Sequence, residues 1–306
     1  MFYLLNDPHR SEFDQSGACE EKDHPKYKRS LADYLGCCYE VSDEEINWGI
    51  QMAALVTGAS QRIGRAIAIN LANRGHDVIV HYSTSKAEAE ETVSIIRDIG
   101  RSAVALQADL LNDEQIYNLF KRSTDFCGPL TVLINNASIF EDDSLQTATR
   151  ESWDRHMGSN LRAPFVLTQC FASQVPNAAS DGEPVAQGLI INMIDQRVHK
   201  LTPQFMSYTL AKSALWTFTQ TAAQALAPNV RVNAIGPGPT LKGVRQSEED
   251  FLKQRRATLL QRGTSLDDIT AAVNYFLDAC STTGQIICPD GGQHLAWETP
   301  DVLGIE

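Results

Sequence analysis

Three side chains in the second half of the chain have the types and spacing for proton chemistry. Asp195 follows the apolar run "LIINMI" (residues 189–194), and "YTLAK" sets Tyr208 and Lys212 four residues apart, with Tyr208 thirteen after the acid. An i, i+4 pair shares one helix face. An ammonium beside a phenol favours the phenolate, so Lys212 is expected to lower the Tyr208 pKa toward a range useful for proton transfer. A Tyr/Lys pair at this spacing is common by chance and gains weight only from its surroundings. A carboxyl at a strand exit can hydrogen-bond a carbonyl when protonated, deliver a proton, or hold an amino-pyrimidine edge through paired N–H donors. Capping a turn is the plain alternative for Asp195.

"TGASQRIG" (57–64) offers phosphate chemistry. Gly58 permits a tight turn and Gly64 a close approach of helix to strand. The N-terminus of the following helix presents free N–H groups and a positive dipole end to a pyrophosphate. A glycine-rich turn alone is weak evidence, but this one lies between a strand and a helix, where dinucleotide binding requires it.

These residues need elements to hold them. "AALVTG", "DVIVHY", "SAVALQADL", "LTVLINNA", "LIINMI", "VRVNAI" and "GQIICP" read as seven strands. Ile63, Ile67 and Leu71 line one face of the first helix, which Gly75 closes. Further helices are expected from Ser85 to Gly100, after an Asn112 cap, around 149–175, over 203–227, over the polar stretch 246–262 and from Thr264 to Cys280. Strands alternating with helices predict a three-layer, doubly wound α/β domain, its parallel seven-stranded sheet covered on both faces. Ligands then sit at the carboxyl ends of the strands.

The 306 residues carry a formal charge of −12, which argues against a nucleic-acid partner. No apolar run reaches the roughly 18 residues of a membrane span, and the opening residues lack a signal-peptide pattern. The seven scattered cysteines include no C-x-x-C pair and suit reduced thiols in a cytoplasmic protein. No metal site is expected, and His81, His156, His199 and His294, which lack ligand spacing, read as surface or packing residues. Residues 1–51 hold eleven Asp/Glu against five Lys/Arg, a net of −6, with no sustained period. They read as a poorly ordered acidic extension, which a natural start at Met52 would leave upstream, with a regulatory or oligomer-contacting arm as the alternative. Residues 52–297 form the single domain and 298–306 a tail.

The turn T-G-x-x-x-x-x-G, "NNAS" (135–138), Asn160 in "MGSNLRAPF" and Y-x-x-x-K (208–212) occur in this order. Together they resemble the short-chain dehydrogenase/reductase family over about residues 53–295. The resemblance implies a Rossmann fold, a redox enzyme and a homotetramer built through the long helices and the last strand. It implies cofactor contacts from Gly58, Ser60, Arg62, Ile63 and Gly64 in the turn, and from Ser83, Thr84 and Ser85 after the second strand. Further contacts fall to Asp109 and Leu110 after the third, to Asn136, Ala137 and Ser138 after the fourth, and to Tyr208, Lys212, Pro237 and Gly238. Asn160 would complete a proton relay through water. The second strand ends "VHYSTS" without an acid for a free ribose 2′-hydroxyl, and its hydroxyls, with Lys86 next, tolerate a phosphate. NADP(H) is therefore favoured over NAD(H).

Three departures, Arg62 and Ser138 for glycine and Asp195 for serine, resemble the pteridine reductases within this family. A pterin-like small molecule would then meet Arg62, Ser138, Phe140, Asp195 and Tyr208, with Phe140 stacking on its ring. Against a close match, Ser83 and Thr84 stand where those enzymes often carry a basic residue. The loop 235–241 and "KGVRQSEEDFLKQRR" resemble the segment that covers the substrate. The rival enzyme is a ketone reductase such as a 3-oxoacyl-carrier-protein reductase, in which an ionised Asp195 would repel the developing alkoxide. The rival of another class is a nucleotide-sensing binding protein, against which intact Tyr208, Lys212 and Asn160 argue.

Overall fold

The computed structural model describes residues 52–243 and 246–298. The acidic extension, the end of the tail and the proposed start boundary therefore lie outside, or at the edge of, the described residues. Strand β1 (Ala53–Val56) is followed by α1 (Arg62–Asn73), β2 (Asp77–Tyr82), α2 (Lys86–Asp98), β3 (Ala103–Gln107), α3 (Asp113–Cys127) and β4 (Val132–Asn135). Next come α4 (Arg150–Met157), a π-helical turn (Gly158–Arg162), α5 (Ala163–Ala172) and a small hairpin, β5 (Ala179–Ser180) with β6 (Pro184–Val185). The domain closes with β7 (Gly188–Met193), α6 (Met206–Leu226), β8 (Val230–Ile235), α7 (Glu248–Arg256), α8 (Leu266–Asp278) and β9 (Ile286–Ile287).

Seven strands pair in parallel in the order β3-β2-β1-β4-β7-β8-β9. Every residue of β1, β2, β4 and β7 is buried, which is why these strands are continuous apolar runs rather than alternating ones. One core layer joins the sheet to Ile67 and Leu71 of α1, Val93 and Ile96 of α2, and Val273 and Phe276 of α8. The other joins it to Ile116 and Leu119 of α3, Val166 and Phe171 of α5, and Ala222 of α6. Burying a side chain the size of Phe171 or Phe276 contributes roughly 1.5–3 kcal/mol, so both layers are anchored by their largest residues. The order in which strands are added reverses between β1 and β4, so the connections on either side part there and open a crevice.

Several boundaries differ from expectation for identifiable reasons. The helix expected over 149–175 contains the π-helical turn, one residue too many for regular α-helix. The helix expected from 203 starts at Met206, because Phe205 before it is left-handed (φ 55°). The polar stretch 246–262 shrinks to α7, which has no buried residue to extend it. Asn112 caps α3 as expected, accepting from the Gln115 N–H at 3.1 Å.

Candidate active site

The glycine turn is built for close approach. Gly58 is left-handed (φ +63°), and a Cβ on Gly64 would lie 2.1 Å from the Gly58 oxygen and 2.6 Å from Asn136 Nδ2. Asn136 Nδ2 donates to the carbonyls of Thr57 (2.8 Å) and Gly58 (3.1 Å), tying the turn to the exit of β4. Underneath, the Gly58 N–H donates to Nδ1 of His81 at 3.0 Å, so Nε2 carries the ring proton and faces the Ala108 carbonyl at 3.2 Å. His81 is buried, and burial pushes its pKa down to about 4. Read from the sequence as a surface or packing histidine, it is the strut under the turn.

A cleft of about 790 Å³ opens over this turn. It is lined by Gly58, Ser60, Arg62, Ile63, Gly64, Ser83, Thr84, Ser85, Asp109, Leu110, Asn136, Ala137 and Ser138, so the residues expected from the turn and the first four strand exits converge here. The Asp109 carboxylate also accepts from the Leu111 N–H at 2.9 Å, bracing its own turn. The bare glycine turn and the hydroxyls of Ser83, Thr84 and Ser85 fit a dinucleotide with a 2′-phosphate. Lys86 begins α2 and is not among the lining residues.

A second cleft, about 380 Å³, shares Arg62, Ile63, Asn136 and Ser138 with the first, so the two form one trough. It holds Phe140, Asp195, Tyr208, Lys212, Pro237 and Gly238. Gly238 is needed there, since its Cβ would meet the Asp290 Cα at 2.6 Å. The Tyr208 hydroxyl donates to Asp195 Oδ2 at 3.0 Å, while Oδ1 accepts the Arg197 N–H at 2.8 Å. Asp195 thus caps a short 3-10 turn and meets the tyrosine at the same time. Lys212 donates to the Met193 carbonyl at 2.8 Å, and burial lowers its pKa to about 8.

The expected lowering of the Tyr208 pKa is corrected. Burial pushes it well above its ordinary value, and the Asp195 carboxylate adds to that rise. The Lys212 ammonium lies 5.8 Å from the centre of the tyrosine ring. Tyr208 is therefore a phenol that keeps its proton until one is demanded.

Phe140 is set by the helix across from it. Asn160, in the π-helical turn, takes the Ile139 N–H on Oδ1 and donates from Nδ2 to the Ile139 carbonyl, both at 2.9 Å. The relay expected of Asn160 would thus start from a side chain already clasping Ile139. His156 Nε2 takes the Glu141 N–H at 3.1 Å, and its Nδ1 meets Ser207 Oγ at 2.7 Å. Ser207 also donates to the Asp143 carboxylate. So pinned, Phe140 stacks on Phe205 (4.3 Å between centroids, 11° between planes) and meets Tyr208 edge-on at 4.7 Å. Phe205, Arg197 and the buried His156–Ser207–Asp143 chain are site residues that no motif or spacing in the sequence singles out.

Arg62, left-handed at φ 54°, donates to the carbonyls of Leu241 (3.1 Å) and Lys242 (3.0 Å). It links the nucleotide turn to the segment bordering the second cleft. Among the described residues, no group of His, Cys, Asp or Glu gathers in a metal-binding cluster.

A doubly wound parallel sheet with a glycine turn beside a Tyr–Lys–Asp cleft defines a nucleotide-dependent oxidoreductase. The family model for short chain dehydrogenases matches residues 52–253, and the chain belongs to that family. It is similar to the FolM alternative dihydrofolate reductase 1 of Brucella canis, solved with NADP, at 46% identity over 82% of this chain and 97% of that one (TM-score 0.76). The corresponding Brucella suis enzyme, also with NADP, is 47% identical over 82% and 98% (TM-score 0.76). The 3-oxoacyl-[acyl-carrier-protein] reductase FabG of Staphylococcus aureus (strain Mu50 / ATCC 700699) is 32% identical over 248 residues, 79% of this chain and 98% of that protein.

Proposed function

We propose that the chain is an NADPH-dependent reductase of a pterin-like C=N bond, in a dihydropterin or dihydrofolate. The observation that carries this reading is the carboxylate of Asp195 against the Tyr208 hydroxyl, at the position where serine is usual in the family. Similarity to the two Brucella alternative dihydrofolate reductases, both solved with NADP, supports it. NADPH, when bound along the first cleft, supplies the hydride that reduces the ring carbon. The ring nitrogen then needs a proton, and Tyr208, whose phenol stays protonated, stands ready to give it. Each Asp195 oxygen already accepts one hydrogen bond and has a lone pair left, so the carboxylate can still take the paired N–H donors of an amino-pyrimidine edge. Lys212 holds the nicotinamide ribose, Arg62 lies between nucleotide and substrate, Ser138 lines the junction, and Phe140 presents an aromatic wall. Asn160 serves by fixing that wall.

Ketone reduction is the second reading, favoured by the similarity to FabG. Oxidation of NADPH with 7,8-dihydropterin, dihydrofolate and acetoacetyl-CoA, by wild type and Asp195→Ser, decides between them. Pterin turnover lost in Asp195→Ser is expected. Turnover of the thioester alone, unchanged or improved by serine, sinks the pterin reading. Family membership further supports a homotetramer, which light scattering in solution checks, and a cytoplasmic location, which cell fractionation checks.

A further inference from the structure

Among the described residues lining the second cleft, one carboxylate, Asp195, faces three cations, Arg62, Arg197 and Lys212. That local excess of positive charge stands out in a chain whose formal charge is −12. Lys212 is buried against the Met193 carbonyl and Arg62 is spent on the Leu241 and Lys242 carbonyls. Arg197 is different. Its Nη1 donates to the Thr202 hydroxyl at 2.6 Å, its guanidinium lies 5.1 Å above the Phe205 ring, and its buried Nε has no hydrogen-bond partner. Among the described residues it pairs with no carboxylate. Phe205 in turn stacks on Phe140, which meets Tyr208. Guanidinium, two rings and phenol form a ladder leading from the reacting end of the cleft to a cation.

We propose that Arg197 is a specificity-determining residue that recognises an anionic tail on the substrate, so that a carboxylate-bearing folate is preferred over a pterin with a neutral side chain. This rests on the pterin reading above. A planar guanidinium pairs with a carboxylate through parallel N–H donors. Here it is held in place by the Phe205 face and by the Asp195-capped turn, which removes part of the cost of ordering it.

The test compares 7,8-dihydrofolate with 7,8-dihydrobiopterin in wild type, Arg197→Gln and Arg197→Lys, with NADPH. Arg197→Gln is expected to lower kcat/KM for dihydrofolate about 10- to 100-fold more than for dihydrobiopterin, mainly through KM. Arg197→Lys should recover part of the loss. Equal losses on both substrates, or none on dihydrofolate, overturn the proposal. Calorimetry of folic acid and pterin binding to the NADP⁺ complex separates it from the reading beneath. A folate preference that disappears in Arg197→Gln supports tail recognition even without turnover. Turnover of both pterins by a wild type with no folate preference sinks Arg197's role and leaves the pterin reading standing.

Discussion

The Tyr208 hydroxyl donates to Asp195 Oδ2 at 3.0 Å, and the two residues come from different elements, the first turn of α6 and the exit of β7. The bond matters for when a proton moves. Burial of the phenol, and then the carboxylate beside it, hold the proton on Tyr208, so the donor stays loaded through the neutral range. A site using Tyr208 as a phenolate at neutral pH would need both that burial and that carboxylate relieved.

Lys212 supplies a first prediction. Its pKa sits at about 8, lowered by burial and partly raised again by Asp195. The amine is cationic below that value and neutral above it. If the ammonium is the working form, kcat/KM for the pterin falls as pH rises through about 8. Asp195→Asn should move this alkaline limb to lower pH, because the charge that holds the proton is gone. A pH–rate profile flat to about pH 9.5, well past the Lys212 pKa, contradicts the assignment.

His81 predicts an acid weakness. Its pKa falls from an ordinary 6.5 to about 4 on folding. Between those values the unfolded chain binds the extra proton, so stability is full above about 6.5 and declines as pH falls toward 4. The loss is on the order of 3 kcal/mol. Denaturant melts of wild type and His81→Gln should differ in slope only within this window, and parallel curves would rule the strut out.

Gly64→Ala is expected to cost about 1–3 kcal/mol or more, because its Cβ would meet backbone and Asn136 rather than a flexible side chain. Nucleotide binding should go with it, since the turn itself must shift. Fluorescence titration with NADPH and a melting curve check both halves. Unaltered NADPH affinity is the contrary result.

Arg62→Gly separates strain from function. Glycine at φ 54° relieves roughly 1–2 kcal/mol of left-handed strain, whereas the lost bonds to Leu241 and Lys242 are exposed. The melting temperature should hold or rise while KM for the pterin climbs about tenfold. A clear drop in stability would mean that the arginine is a structural tie instead.

Much of this architecture is legible from residue order alone. Buried parallel strands have apolar runs such as "LIINMI" that little else explains, and the glycine turn announces itself by its place between strand and helix. Asp195, Tyr208 and Lys212 stand out because they lie at a strand exit or on one helix face. The sign of the Tyr208 shift does not, because it depends on which neighbour the fold brings nearer, the acid or the amine. Phe205 is hidden by its left-handed backbone, which no residue type at that position signals. His81 and His156 are buried, within the packing role expected of them, but their particular partners are not legible, because those partners include backbone groups of distant segments.

The extra residue in the π-helical turn Gly158–Arg162 gives the helix two phases. One residue advances a helix by about 100°. The segment before the turn therefore aims His156 at Glu141 and Ser207, while the segment after it aims Val166 and Phe171 into the sheet. Deleting a single residue there would knit the helix into one regular coil and force a choice between the two faces. The aromatic wall and the folded core would compete for the same rotation. Length within this turn is therefore constrained alongside the identity of Asn160, and a variant one residue shorter should lose substrate recognition or its fold, even with every named side chain intact.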